Sequence, residues 1–167
     1  MADPVPESPL RRAVERPCEV LALVGGLVLV SIALMSAVSI LGRALLSRPI
    51  QGDYELVQMG CAVFVACCMP LTQIRYGNII VDFFTTRASE RAQSRLDAAG
   101  ALVVAIVMAV VAWRTAVGTL DMISAGQTTT ILGIPTWYTY AGMLPGLVLC
   151  AIAALYCTSE KLRGTTQ

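Results

Sequence analysis

The chain has 167 residues, of which 56% are hydrophobic and only 14% are charged, and its mean hydropathy is +0.71. This composition excludes a soluble globule of this size, which would need more polar residues to cover its surface, and it indicates a membrane protein. The net charge of +1 balances 12 basic against 11 acidic residues and provides no basic field, so nucleic acid is excluded as a partner.

The first apolar stretch, residues 20–42, contains 23 residues without a charge. As a helix it rises about 35 Å, enough to cross a hydrocarbon core of about 30 Å. Because it is longer than the apolar region of a signal peptide, we predict a retained span. Residues 1–18 are predicted to be a cytoplasmic tail, either disordered or forming a short interfacial helix capped by Ser8.

The second predicted span, residues 56–74, contains 19 uncharged residues. Arg43 leaves the first span where Asp53 and Glu55 enter the second, so opposite charges meet at one membrane level across a short turn. We expect a partly buried ion pair between Arg43 and these carboxylates.

Polar residues interrupt the apolar run after the second span, in TQIRYGNIIVDFFTTR (residues 72–87). Arg75 is predicted to end the span, and the Gly77–Asn78 pair permits a turn. Residues 79–84 form an apolar strip suited to the membrane boundary. We hypothesise that Asp82 pairs with Arg75 or with a basic residue of a partner subunit.

The third and fourth spans are predicted at about residues 98–120 and 138–157, with a cytoplasmic tail at 158–167. Arg114 then lies about 25 Å along the third span from Asp97, near the outer boundary. A functional or interhelical contact and simple snorkelling of the long side chain both remain open for Arg114.

The connection between these two spans carries no charge and ends in Pro135 followed by Trp137 and two tyrosines. Aromatic residues at this level are typical of an interfacial belt. Docking of a partner protein is the other explanation for an apolar outward loop.

Small residues recur every fourth position in the fourth span, at Gly142, Gly146, Cys150 and Ala154. Such a face lets helix backbones approach closely in lipid. We therefore predict a tight helix contact through Gly142 and Gly146, with a neighbour in this chain or in another.

Lys and Arg are unevenly distributed in a four-span topology. One side carries nine of them: Arg11, Arg12, Arg16, Arg75, Arg87, Arg91, Arg95, Lys161 and Arg163. The other side carries Arg43, Arg48 and Arg114. The positive-inside rule therefore predicts that both chain ends are cytoplasmic. Residues 87, 91 and 95 share one helix stripe, which either lies against anionic headgroups or is a solvated face.

The sequence contains no histidine, which excludes a bis-His haem, a His-based metal site and a His-containing catalytic triad. Its six cysteines show no CxxC spacing and are interpreted as small core residues. We predict no catalytic, cofactor or metal site, and no enzyme.

Three segments resemble the hallmark regions of the small permease subunit of tripartite ATP-independent periplasmic (TRAP) transporters, the DctQ-like family. They are GRALLSRPIQGDYELV (residues 42–57), TQIRYGNIIVDFFTTR (72–87) and TILGIPTWYTYAGMLPGL (130–147). One departure is Asn78, where the family often has a histidine before its Ile-x-Val-Asp element, so no role of that imidazole carries over.

The resemblance implies an all-α, polytopic inner-membrane protein of four helices with interfacial amphipathic segments. Its implied partners are lipid, a large permease that carries organic acid and sodium, and a periplasmic substrate-binding protein. The small subunit would brace the large one during an elevator movement and help dock the binding protein. Partner-contact candidates are Arg43, Glu55, Arg75, Asp82, Arg114, Trp137, Gly142 and Gly146. A small homo-oligomeric exporter, a respiratory membrane anchor and an assembly or signalling protein remain the alternatives.

Overall fold

The computed structural model describes residues 9–46, 50–75 and 90–164, with side chains over 11–45, 50–75 and 98–160. These residues form four helices: α1 (Pro9–Leu46), α2 (Asp53–Ile74), α3 (Glu90–Ala125) and α4 (Trp137–Gly164). No strand occurs in these three segments, where the β-type pairing is an isolated bridge between Thr128 and Pro135.

All four helices are long and apolar enough to cross a membrane. The predicted all-α architecture with four spanning helices is therefore confirmed. Helix is the expected form for such segments, because a helix satisfies all its internal backbone hydrogen bonds without water.

Two of the helices extend well beyond the predicted spans. α1 has 38 residues and begins at Pro9, a residue suited to a first helical turn because its missing amide proton has no helical partner there. Residues 9–18, predicted as disorder or as a separate interfacial helix, continue directly into the first span. α3 begins at Glu90, whereas its apolar section starts at Ala98. The Gly77–Asn78 corner and Asp82 lie outside the described residues.

The helices pack in the order α1, α2, α4, α3, with a minor contact between α1 and α4. We call the end with the α1–α2 and α3–α4 connections the hairpin end, and the opposite end the tail end. At the tail end Cys18, Ile74 and Ala153 form one buried cluster that joins α1, α2 and α4. Farther along α4, Leu147 and Cys150 pack against Met108 of α3. α4 is the most enclosed of the four spanning helices and α1 the least.

Candidate functional site

A compact hairpin, residues 127–136, connects α3 to α4. The Thr129 amide donates to the Ile134 carbonyl at 2.8 Å, and the Thr136 amide donates to the Gln127 carbonyl at 3.1 Å. Gly126 and Gly133, with φ of 61° and 66°, supply the left-handed conformations that such a reversal needs. Because the hairpin satisfies these polar groups internally, an uncharged connection can hold a defined shape.

Glu55 fixes the tip of the hairpin to the first turn of α2. Its Oε1 accepts the Ile131 amide at 2.9 Å, and its Oε2 accepts the Leu132 amide at 3.1 Å. We call this arrangement the Glu55 latch. The Leu132 side chain also lies directly over Gly52, where an added Cβ would be 2.5 Å from Leu132 Cγ. A carboxylate and a glycine at the start of α2 thus position the hairpin.

Ser39 closes the junction of α1 with α2. Its hydroxyl donates to Asp53 Oδ2 at 2.6 Å and accepts the Ile50 amide at 3.3 Å, and the residue is 1% exposed. Asp53 Oδ1 accepts the amide of Tyr54 at 2.8 Å. Sequence reasoning missed Ser39, although a hydroxyl near the end of a span, opposite an incoming carboxylate, is a usable signal.

Arg43 does not form the ion pair that we expected. In the described part of the chain, Asp53 bonds Ser39 and Glu55 bonds the hairpin, while the Arg43 side chain is exposed. The physical reason is that nearby hydroxyl and amide donors reach the carboxylates with good geometry. Arg43 lies close enough to Asp53 to act on it electrostatically without forming an ion pair, and its exposed side chain is accessible to lipid headgroups or a partner.

At the tail end, Arg75 pairs with two carboxylates of α1. Its Nε lies 3.1 Å from Glu15 Oε1, and its Nη2 binds Glu19 Oε1. Arg11 extends the cluster, 3.7 Å from Glu15 Oε2. Asp82, the partner hypothesised for Arg75, lies outside the described residues. The spacing of Glu15 and Glu19, one helical turn apart, was the signal for this cluster in the sequence.

Gly142 and Gly146 contact α2 of the same chain, which answers the question that their spacing left open. A Cβ added at Gly146 would lie 2.1 Å from the Ala66 carbonyl oxygen, and one at Gly142 would lie 3.1 Å from Val63 Cγ2. We call this contact the α2–α4 crossing. The two glycines therefore serve internal packing.

Arg114 and Trp137 both lie on the surface but at different depths, since Trp137 begins α4 at the hairpin end and Arg114 lies near the middle of the α3 span Ala98–Ala125. The Arg114 side chain is exposed, and its neighbour Trp113 is 71% exposed. Trp137 is half-buried and stacks on Tyr138, with ring centroids 4.1 Å apart. Trp137 is thus placed where an interfacial or partner contact can form. Arg114 lies deeper than the outer boundary predicted for it, because α3 continues to Ala125, and neither residue joins the Glu55 latch.

The described residues contain no group of three or more histidine, cysteine or acidic side chains that could hold a metal ion. The six cysteines are free thiols, four of them buried. The contacts of Ser39, Glu55 and Arg75 each join one element to another. What the arrangement offers is a set of positioned surfaces at each end of the helices.

A family model described as "Tripartite ATP-independent periplasmic transporters, DctQ component" matches residues 32–164, which is most of the chain. None of the curated proteins and none of the solved structures matches the chain. The matched residues include the hairpin, the Glu55 latch and the α2–α4 crossing.

Proposed function

The chain belongs to the DctQ component family of TRAP transporters, and on that premise we propose that it braces the large permease subunit and helps to dock the substrate-binding protein. It is a small membrane subunit of such a transporter. The complex would lie in the bacterial inner membrane, with both ends of this chain cytoplasmic, and would take up an organic acid with sodium bound in the large subunit.

The positions of the carboxylates are the main support for the proposed bracing role. In the segments whose side chains are described, every acid lies toward one end of its helix: Glu15, Glu19, Asp53, Glu55, Asp121 and Glu160. A carrier that couples transport to an ion is expected to hold an ionisable group near the membrane midplane. The part of the chain described here offers no carboxylate at that depth. Arg114 lies near the middle of the α3 span, but a guanidinium does not release its proton in a protein, so the described residues favour a passive subunit over the exporter alternative.

Close internal packing also supports this role. The α2–α4 crossing brings Gly146 against the backbone of Ala66, and Gly60 packs under Ile32 of α1. Interiors packed at this distance deform little, because side chains cannot move without a clash. A stiff set of helices is what a moving carrier requires of its fixed support.

The hairpin supports the docking role. The Glu55 latch holds its tip, while Ile131 remains 60% exposed and Tyr54, next to Glu55 in the first turn of α2, is 75% exposed. Pre-organised apolar side chains lose little entropy on binding. A periplasmic protein would find a fixed apolar contact there.

Purification and flux measurements test the proposal. The tagged chain, extracted in mild detergent from its own host, should retain a much larger permease identified by mass spectrometry. Proteoliposomes should take up the organic acid only when this chain, the permease and the binding protein are all present. Ion-coupled flux by this chain alone, or the absence of a permease, would refute the proposal.

A matched pair of variants tests docking. Ile131→Ala removes an exposed isoleucine from the hairpin tip, and Ile123→Ala removes one that is 50% exposed in the last turns of α3, at the same end. We expect the hairpin variant to weaken binding of the substrate-binding protein roughly tenfold, as for a contact worth about 1.4 kcal/mol. Equal affinities of the two variants would exclude the hairpin tip from docking.

A further inference from the structure

α2 and α3 both pack on α4 but do not contact each other along the described residues. They therefore form the two walls of a groove whose floor is α4. The groove is open on the side away from α4, where no other element of the described chain covers it.

Two cavities lie along this groove. One, of about 510 Å³, lies under the hairpin and is lined by Gln58 of α2 and Thr139 of α4. The other, of about 530 Å³, is lined by Val65 of α2, Val104 of α3 and Cys150 of α4. Six of the ten α2 residues that line them follow one another at three- and four-residue steps: Glu55, Gln58, Ala62, Val65, Met69 and Thr72. One stripe of α2 thus borders both cavities.

The length of the groove matches a whole bilayer. From residue 55 to residue 72 the helix rises about 26 Å, close to the hydrocarbon thickness of about 30 Å. A lipid molecule occupies a single leaflet. A transmembrane helix spans both, so the length favours a helix as the occupant.

The polar end of the groove also favours a helix over a phospholipid as the occupant. Its lining contains amide and hydroxyl groups but no lysine or arginine, and its carboxylate, Glu55, already accepts two amides. A phosphate headgroup would lack a cation there. The Gln58 side chain is exposed at this end, so a helix that enters the groove can reach it.

We propose that this groove is the seat of one transmembrane helix of the large permease subunit. That helix is apolar over the section facing Val65 and Val104, and it carries a hydrogen-bonding side chain opposite Gln58. The exposed aliphatic face of α1 then faces lipid. This inference rests on the proposed function, because it takes the large subunit as the partner.

Photo-crosslinking in the intact complex tests the location. A photoreactive residue replaces Val65 in one variant and Leu27 in another. These positions are 53% and 69% exposed. Leu27 has a similar depth in the membrane, because Gly25 lies against Cys67 and Val28 lies beside Gly60. We expect Val65 to give adducts with peptides from one helix of the large subunit, and Leu27 to give none with that helix.

Other crosslinking results would overturn the inference. Adducts of Val65 with lipid alone would identify the groove as a lipid site, and adducts with a second copy of this chain would make it a homomeric interface. Adducts of Leu27 with the large subunit, without any from Val65, would move the interface to α1. In each case the permease is still retained, so the proposed function stands while this inference fails. Loss of the permease from unmodified preparations would instead refute the proposed function.

Gln58→Leu provides an independent test. This variant removes an exposed amide from the polar end of the groove and keeps a side chain of similar size. In the complex it should weaken retention of the large subunit about tenfold, as expected for one lost hydrogen bond. Gln51→Leu is the matched control, because Gln51 is exposed in the turn before α2 and lines neither cavity. Equal retention of both variants would contradict a partner bond at Gln58.

Discussion

Gly52 has two constraints that act together. Its φ is 77°, a left-handed conformation, and the Leu132 side chain occupies the space where a Cβ would project. A non-glycine residue in this conformation costs about 1–2 kcal/mol before any clash is counted. The turn before α2 and the position of the hairpin tip therefore both require that Gly52 has no Cβ atom.

Gly52→Ala should destabilise the protein by about 2–4 kcal/mol, the sum of backbone strain and displacement of Leu132. Gly126→Ala is the control, because Gly126 has φ 61° but no atom within 4 Å of an added Cβ. The control should lose only the strain, about 1–2 kcal/mol. Thermal unfolding in detergent measures both, and equal losses would show that the Leu132 contact contributes nothing.

Glu55→Ala should free the hairpin tip, because the Ile131 and Leu132 amides lose their acceptors. Hydrogen exchange at these two amides should accelerate severalfold, and Glu55→Gln should have a smaller effect because it keeps one acceptor oxygen. The Thr129 amide, which bonds Ile134 within the hairpin, is the internal reference. Unchanged exchange at Ile131 and Leu132 would contradict the latch.

The sequence indicated which charged residues make specific contacts, but it did not indicate which groups they bind. Glu55 and Arg75 are easily noticed because they bound an apolar run, and both make specific contacts. Their partners are two backbone amides and two acids of α1, separated from them by more than 50 residues. Spacing along the sequence does not show which of several donors a carboxylate will bond in the fold. For this reason the expected Arg43 pair was wrong.

Gly146 determines how closely α2 and α4 approach. An added Cβ would meet a backbone oxygen at 2.1 Å, and backbone cannot retreat as a side-chain tip can. At Gly142 the obstacle is a valine methyl at 3.1 Å, which needs to shift by only a few tenths of an ångström. Two glycines on the same face of α4 therefore differ in how much they constrain the fold.

Gly146→Ala should cost at least about 3 kcal/mol, the upper part of the range for overpacking, while Gly142→Ala should cost about 1 kcal/mol. Gly100→Ala, in α3 with nothing within 4 Å of its added Cβ, should be neutral or stabilising by up to about 1 kcal/mol. Unfolding midpoints of the three purified variants provide the comparison. Equal midpoints for the Gly146 and Gly142 variants would contradict the close backbone approach.

The existence of the helices was predictable, and their ends were not. Uncharged runs of about 20 residues leave few alternatives to a spanning helix. α1 and α3 nevertheless continue for about two turns or more past the apolar runs, because a helix does not need apolar residues once it leaves the bilayer. The hairpin was seen only as an uncharged loop, since its shape depends on two left-handed glycines.

The order of the helices is a property of the whole molecule that the sequence did not reveal. The small-residue face of α4 indicated close packing but was compatible with any neighbour, in this chain or another. The fold places α2 on that face and α3 on another, and it leaves α2 and α3 apart. This open arrangement leaves surfaces of α2 and α3 exposed, where a partner protein can bind.

Membrane orientation is the property on which the role of each end depends. The hairpin carries no charge, so its transfer across the membrane meets no cost of moving ionised groups, whereas the tail end carries Arg11, Arg12, Arg16 and Arg75.

Thr130→Cys, at the exposed hairpin tip, should therefore react with a membrane-impermeant maleimide in intact spheroplasts. Ser159→Cys, exposed at the tail end, should react only in inverted vesicles. The parent chain is the control, because its native cysteines lie within the helices and should stay unlabelled in both preparations. Labelling of Thr130→Cys only in inverted vesicles would place the hairpin in the cytoplasm and remove it from any contact with a periplasmic protein. Labelling of Ser159→Cys in intact spheroplasts would contradict a cytoplasmic tail end.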